Sequence, residues 1–265
     1  MNGNKEHWTG RRPLALIGMS GCGKTFLSQT LANKGFFHYS VDWEIANILR
    51  PQILESVIEK IKNQSQFFKN LHENFLLKTD LSLTFDDLST VTTFVIPLNE
   101  NNKVSFKNLI TNQRLYKAAE LQAMNGFFLR FKNNANNYEG IICDATGSIF
   151  EVASDSAEMI ENLKNNATTV YIETNETHIQ TLVTRSKNAI KPILYNERFL
   201  NKNLQEYYSV KEINDDFEID AAFFQWVFPN LLKYRQECYQ QLAIQANAVS
   251  ISPSSLESFV SEIAC

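Results

Sequence analysis

The chain of 265 residues has no apolar run approaching the roughly 18 residues that a membrane-spanning helix needs, so a helical membrane protein is not expected. Its Met1–Arg12 segment is polar, and the apolar run that follows, Leu14–Ile17, is too short for a signal-peptide core. Cysteine is scarce: Cys22, Cys143, Cys238 and Cys265 stand at no zinc or redox spacing. Cys22 lies in a glycine-rich turn and Cys143 in an apolar run, where free thiols are the simpler reading, and a soluble, reducing, cytoplasmic setting is expected. The four histidines, His7, His38, His72 and His178, have no partner at ligand spacing, so no histidine metal site is expected. Positive charge has no surplus either: 25 Lys+Arg stand against 29 Asp+Glu, which gives no electrostatic footprint for nucleic acid. What remains is a chain with 44% hydrophobic residues, enough for a real core, which excludes a disordered, collagen-like or disulfide-dense protein. Asparagine is abundant, with runs such as Asn133-Asn134 and Asn136-Asn137, and it favours turns and helix ends.

The order of patterns predicts strands alternating with helices. Leu14–Ile17 reads as a buried strand that ends in glycines, Lys24–Asn33 as a helix, Phe36–Val41 as a strand, and Trp43–Lys62 as a helix kinked or split at Pro51. From Asn63 to Asn112 the pattern is poor. Thr90–Leu98 and Lys103–Phe106 resemble strands around the turn Asn99–Asn102, which predicts a small hairpin. Helices follow at Arg114–Phe131, Asp155–Asn165, Glu176–Arg185, Phe223–Gln245 and Ser254–Ile263, with strands at Gly140–Cys143, Thr169–Glu173 and Ala248–Ile251. The alternation implies one α/β domain with a mostly parallel sheet covered on both faces. The stretches 63–112 and 196–229 are expected as insertions.

The strongest chemical signal is Gly18-Met19-Ser20-Gly21-Cys22-Gly23-Lys24-Thr25, a G-x-x-x-x-G-K-T loop between a strand and a helix. Glycines let the backbone curl so that its N–H groups converge on phosphate oxygens. The helix adds its N-terminal dipole, Lys24 reaches the outer phosphates, and the Thr25 hydroxyl is placed for magnesium. Gly18, Ser20, Gly21, Cys22, Gly23, Lys24 and Thr25 are therefore the candidate nucleotide-binding residues. Gly140–Asp144 is an apolar strand ending in an acid, the pattern that supplies a second metal contact from a neighbouring strand, and Asp144 is the candidate. A guanine-reading N/T-K-x-D motif is absent, as is a transporter signature, which leaves a small-molecule phosphotransferase as the leading class.

Leu14–Ile45 (LALIGMSGCGKTFLSQTLANKGFFHYSVDWEI) resembles the opening of the shikimate kinases, in which strand, phosphate loop, helix and short strand lead to D-x-D. Asp42 matches the second Asp and Ser40 replaces the first. Tyr116-Lys117-Ala118-Ala119-Glu120 is similar to the family's F-R-x-x-E, with Lys117 at the Arg. Thr146-Gly147-Ser148 is similar to the start of T-G-G-G. Val170–Leu194 resembles the strand, helix, lid and R-P-L-L segment, with Lys191 at the Arg position, and Lys233–Ala243 resembles the R-x-x-x-Y helix at Arg235 and Tyr239. About half the chain is covered. The resemblance implies a three-layer P-loop fold of the shikimate and nucleoside-monophosphate kinase type, with insertions. It also implies ATP and Mg²⁺ as cofactors.

By that resemblance, Thr25 and Asp144 organise the metal, Lys24 and the lid residue Arg185 stabilise the transferring phosphoryl group, and Asp42 orients or deprotonates the acceptor hydroxyl. Lys117, Gly147 and Lys191 contact the acceptor. Lysine offers a point charge where the family has the planar fork of arginine. The expected acceptor is therefore a small polar or anionic metabolite other than shikimate. Two alternatives stay open: a nucleoside- or gluconate-type kinase, and a nucleotide-binding switch or interaction module whose insertions serve a protein partner. Asp42 also fits a helix cap, Arg185 an exposed helix end, and Lys117 and Lys191 a solvated surface.

Overall fold

A computed structural model describes residues 12–64, 94–134, 138–187, 190–191 and 193–263. β1 (Leu14–Ile17) is fully buried, as a continuous apolar strand between two others must be. It pairs in parallel with β4 (Gly140–Asp144) on one side and β5 (Thr168–Ile172) on the other. β2 (Phe36–Ser40) extends the sheet beyond β4 and β7 (Val249–Ile251) beyond β5, giving the order β2-β4-β1-β5-β7 with every pair parallel.

Side chains of a strand alternate between faces, and here the alternation separates two cores. Ala15 and Ile17 face one core, together with Ile141, Cys143 and Tyr171. Leu14 and Leu16 face the other, with Ile142, Val170 and Ile172. The second core is closed by α1 (Lys24–Ala32), through Leu27 and Leu31, and by α9 (Leu256–Ile263), through Leu256, Val260 and Ile263. The first and larger core takes α2 (Val41–Gln64), α3 (Phe106–Asn134), α4 (Ile149–Ala153), α5 (Ala157–Asn165) and, after β5, α6 (Glu176–Ser186), α7 (Glu197–Tyr208) and α8 (Ala221–Gln245). The result is a three-layer α/β arrangement with the sheet in the middle.

α2 runs through Pro51 as one helix, so the chain is not split there. One expectation is corrected. The hairpin between Thr90–Leu98 and Lys103–Phe106 does not form as expected: Phe94–Ile96 is turn, and Thr90–Thr93 lies outside the described residues. Lys103–Ser105 instead forms β3, antiparallel to β6 (Glu218–Asp220), and the Phe106 N–H donates to the Phe217 carbonyl at 2.8 Å. The described parts of the two stretches expected as insertions are thus bonded to each other across the sequence. α3 begins at Phe106 rather than Arg114, and α4, α7 and β6 were not expected from the pattern.

On α3 the residues Leu109, Gln113, Tyr116, Glu120, Ala123 and Phe127 recur at spacings of four and three, and all are buried. Gln113 and Glu120 are the polar members of that stripe. Gln113 ties the chain together: its Nε2 donates to the carbonyls of Val95 (3.2 Å) and Ile193 (3.0 Å), and its Oε1 accepts from the Tyr195 N–H at 2.7 Å. Its neighbour Asn112 donates to the Phe94 carbonyl at 2.7 Å. Replacing the wholly buried Leu16 with alanine is expected to lower stability by about 2–5 kcal/mol, read as a shift in the urea midpoint without a change in slope.

Candidate functional site

β1 and β4 are neighbours whose onward connections run to opposite sides of the sheet, to β2 and to β5 respectively. Such a reversal opens a crevice at the carboxyl ends of the two strands, where ligands of open α/β sheets bind. The Gly18–Thr25 loop occupies that crevice. Its last glycine, Gly23, is the N-cap of α1 with φ 107°, a left-handed conformation that other residues adopt with strain. No side chain caps this helix end, so its first-turn N–H groups point outward without an internal acceptor. The Lys24 side chain is buried and folds back over the loop, donating from Nζ to the carbonyls of Gly18 (2.8 Å) and Met19 (3.0 Å). Thr25 is exposed at the loop's outer edge.

The loop after β4 closes on this one. Gly147 approaches so tightly that a Cβ there would lie 2.8 Å from the Ser20 nitrogen. Asp144, the last residue of β4, is buried beside β1 in register with Leu16, and His38 Nε2 lies 3.8 Å from its Oδ2. Asp42 stands in the first turn of α2. The cap reading of Asp42 is corrected: the Trp43 N–H is held by the Ser40 hydroxyl at 3.3 Å, because Ser40 is the residue at the strand-to-helix junction. The Asp42 carboxyl is left facing the cavity. Burial, and then the negative charge of Asp144, push it up to about 6, while Lys24 pulls the other way.

Asp42 opens onto a cavity of about 360 Å³, the size of a small-metabolite site. The cavity brings together Ser20, Asp42, Gly147 and Lys191 from four separate parts of the chain, along with Tyr116 and Arg235. Lys117 lies outside it: on the adjacent face of α3, its ammonium pairs with the Asp155 carboxylate. Arg185 is exposed on the last turn of α6 and does not line the cavity. It does share a helix face with two residues that approach the loop. His178, Leu182 and Arg185 stand at i, i+4 and i+7. His178 Nε2 sits 3.2 Å from the Ser20 carbonyl and Leu182 lines the cavity.

Behind the cavity lies a polar network that the sequence reading did not assign. Glu120, fully buried, accepts from the Ser148 hydroxyl at 2.9 Å and from the Thr146 hydroxyl. Arg235, also buried, donates from Nε (3.1 Å) and Nη2 (2.7 Å) to Glu151 Oε1, from Nη1 to the Gly147 carbonyl (2.9 Å), and from Nη2 to the Leu194 carbonyl (2.7 Å). Burial pushes the Glu151 carboxyl above its ordinary range against the pull of Arg235. These residues did leave signals. Glu151 is the lone charge in the buried run Ile149–Ala153, and Glu120 is an acid on an otherwise mainly apolar helical stripe.

Among the described residues no group of three His, Cys, Asp or Glu side chains could hold a metal by itself. Magnesium does not require one, since it takes one or two carboxylates and completes its shell with water and phosphate oxygens. The buried Asp144 and the exposed Thr25 hydroxyl at the loop suit that role. No protein-family model and no curated protein matches this chain.

Burial, and the charge of Asp42, push the Glu120 carboxyl up from 4.5 to about 7, although its two hydroxyl donors oppose this. A raised folded-state value means that the folded protein holds the proton more tightly than the unfolded chain. The stabilisation is full below pH 4.5 and is lost as pH rises through about 7. Urea midpoints are expected to fall between pH 4.5 and 7.5, and Glu120→Gln is expected to flatten that slope in part, the remainder coming from the raised carboxyls of Asp42 and Glu151.

Proposed function

We propose that the protein is an ATP-dependent phosphotransferase acting on a hydroxyl of a small polar or anionic metabolite, built on a P-loop fold of the shikimate-kinase kind. The observation that carries this reading is that Asp42, which lines a metabolite-sized cavity, is coupled electrostatically to Asp144 and to the buried Lys24 at the uncapped N-terminus of α1. The strand order supports it, since the loop follows the central strand and the acid follows its neighbour.

The nucleotide phosphates would rest on the N–H groups of Gly18–Thr25, where the helix dipole favours negative charge. Lys24 would exchange its two loop carbonyls, at 2.8 and 3.0 Å, for phosphate oxygens, a trade of neutral acceptors for charged ones. Thr25 and Asp144 would hold Mg²⁺, which when bound neutralises charge on the transferred group. Asp42, ionised at neutral pH but far more basic than an ordinary aspartate, would accept the proton of the acceptor hydroxyl. Arg185, on the face of α6 that carries His178 and Leu182, is the second cation for the transferring phosphoryl group. Lys191 and Gly147 face the acceptor from the cavity wall. Lys117, engaged by Asp155, is left out of this assignment.

Two variants test it. Lys24→Ala is expected to abolish acceptor-stimulated ADP formation while circular dichroism stays native; unchanged turnover would sink the proposal. In the wild type at saturating Mg·ATP, kcat/KM for the acceptor should rise with pH and then level. Its limb should lie below the value of about 6 that Asp42 has without the metal, as a base relieved of repulsion from Asp144 requires. Asp42→Asn is expected to lose activity by about 100-fold or more and to lose that pH limb with it.

A further inference from the structure

A loop of the Gly18–Thr25 kind binds anions through its backbone N–H groups, so the direction of each peptide unit decides what it offers. The carbonyls of Gly18 and Met19 accept from Lys24 Nζ at 2.8 and 3.0 Å, and the Cys22 N–H donates back to the Met19 carbonyl at 3.3 Å. The Ser20 carbonyl instead leaves the loop. It lies 3.2 Å from Nε2 of His178, in the first turn of α6. A carbonyl only accepts, so this bond requires the imidazole proton on Nε2.

The bond acts on a peptide unit that glycine leaves easy to turn. Gly21 has φ 79°, in the left-handed region, and glycine moves between backbone conformations at little steric cost. A trans peptide is planar, with its C=O and N–H pointing in opposite directions, and no cis peptide bond occurs among the described residues. Holding the Ser20 carbonyl against α6 therefore turns the Gly21 N–H away from α6. A flipped unit would put a carbonyl oxygen where that N–H stands, and an oxygen repels phosphate. The histidine is itself held: its backbone N–H donates to the Asn175 side chain at 2.8 Å, and a Cβ on Gly21 would lie 3.3 Å from its Cε1.

We infer that His178 is a positioning residue for nucleotide binding: its Nε2–H anchors the Ser20 carbonyl on α6 and so keeps the Gly21 N–H among the donors that meet the phosphates. The inference rests on the nucleotide-binding part of the proposed function and adds to it a residue from outside the loop. The role is separable from the packing of α6, because His178 is half-buried whereas Ile179 and Leu182 are the buried residues that seat the helix. A hydrogen bond to a charged phosphate oxygen, lost when its peptide unit turns, corresponds to about tenfold in affinity.

The test uses Mg·ADP as the probe, in titration calorimetry on the full chain. His178→Phe keeps a planar ring without a donor and is expected to weaken Mg·ADP by about tenfold while circular dichroism stays native. His178→Gln, whose amide nitrogen reaches about as far as Nε2, is expected to bind within about threefold of the wild type. In the wild type, ¹⁵N spectra of the ring at about pH 8 should show Nε2 protonated and Nδ1 bare. The Gly21 amide proton should move downfield when Mg·ADP is added, and His178→Phe should reduce that shift. Mg·ADP bound as tightly by folded His178→Phe, no recovery in His178→Gln, or a wild-type ring protonated on Nδ1 alone each overturns the inference, and the last needs no variant. Binding with the expected variant effects but no acceptor-stimulated ADP formation from Mg·ATP would overturn the phosphotransferase reading and leave the role of His178 standing. Acceptor-stimulated turnover in the wild type, with Mg·ADP affinity unchanged in His178→Phe, would do the reverse. A wild type that does not bind Mg·ADP overturns both.

Discussion

The Arg235 guanidinium, 3% exposed, is the fixed point around which the cavity is assembled. It reaches from α8 to the carboxylate of Glu151 on α4, to the carbonyl of Gly147 in the loop after β4, and to the carbonyl of Leu194 in the irregular segment beyond α6. Each of these partners belongs to a different piece of chain, and a planar fork with five fixed donors is the side chain that can address them together. The pair is not there chiefly for stability, because taking two charges out of water offsets most of their attraction. Its value is directional. With Glu151 and the two carbonyls fixed, Gly147 is pressed against Ser20, and the loops after β1 and β4 meet at a set distance. Removing the arginine alone would strand a buried carboxyl and two carbonyls, which is why such a network is complete or absent.

Around that fixed point the acids are graded. Asp144 lies at a strand end beside the loop, Asp42 is raised to about 6 by burial and by Asp144, and Glu120 is raised to about 7 by burial and by Asp42. Each acid makes the next harder to ionise. A divalent cation beside Asp144 would relieve this repulsion at its source and favour the ionised form of Asp42. Lys24, held on two loop carbonyls, gives the same region a positive charge.

Much of the fold was legible because strand and helix placement follow from short-range patterns. Leu14–Ile17, Ile141–Cys143 and Thr169–Ile172 are apolar runs bounded by turn residues, and they became the three central strands. The loop was legible because its glycines and Lys24 are contiguous. The expected hairpin at Lys103 failed for a physical reason: a strand of three residues carries no record of its partner, and its ladder goes to Glu218–Asp220, over a hundred residues away. The acceptor side was half legible. Asp42 and Lys191 were found by resemblance and do meet in one cavity, whereas Lys117 has its charge taken by Asp155, a pairing between α3 and the turn before α5 that no local pattern announces. Glu120, Glu151 and Arg235 were missed as a set because their partnership exists only in three dimensions.

The division of labour in the chain follows from the same geometry. Reactive groups sit at the carboxyl ends of β1 and β4 or on the first turn of the helix after β2, where rigid parallel pairing holds them. Walls come from Phe94–Leu98, the 193–195 segment and one face of α8, joined to the core through Gln113 and Arg235. Val95, Ile193 and Leu232 line the cavity from outside the five-stranded sheet. In a chain organised this way, substitutions in the wall act on what the cavity holds, and the sheet and its loop are built from other residues. Lys191 belongs to that wall, a single point charge on a flexible stem that reaches over a range of positions.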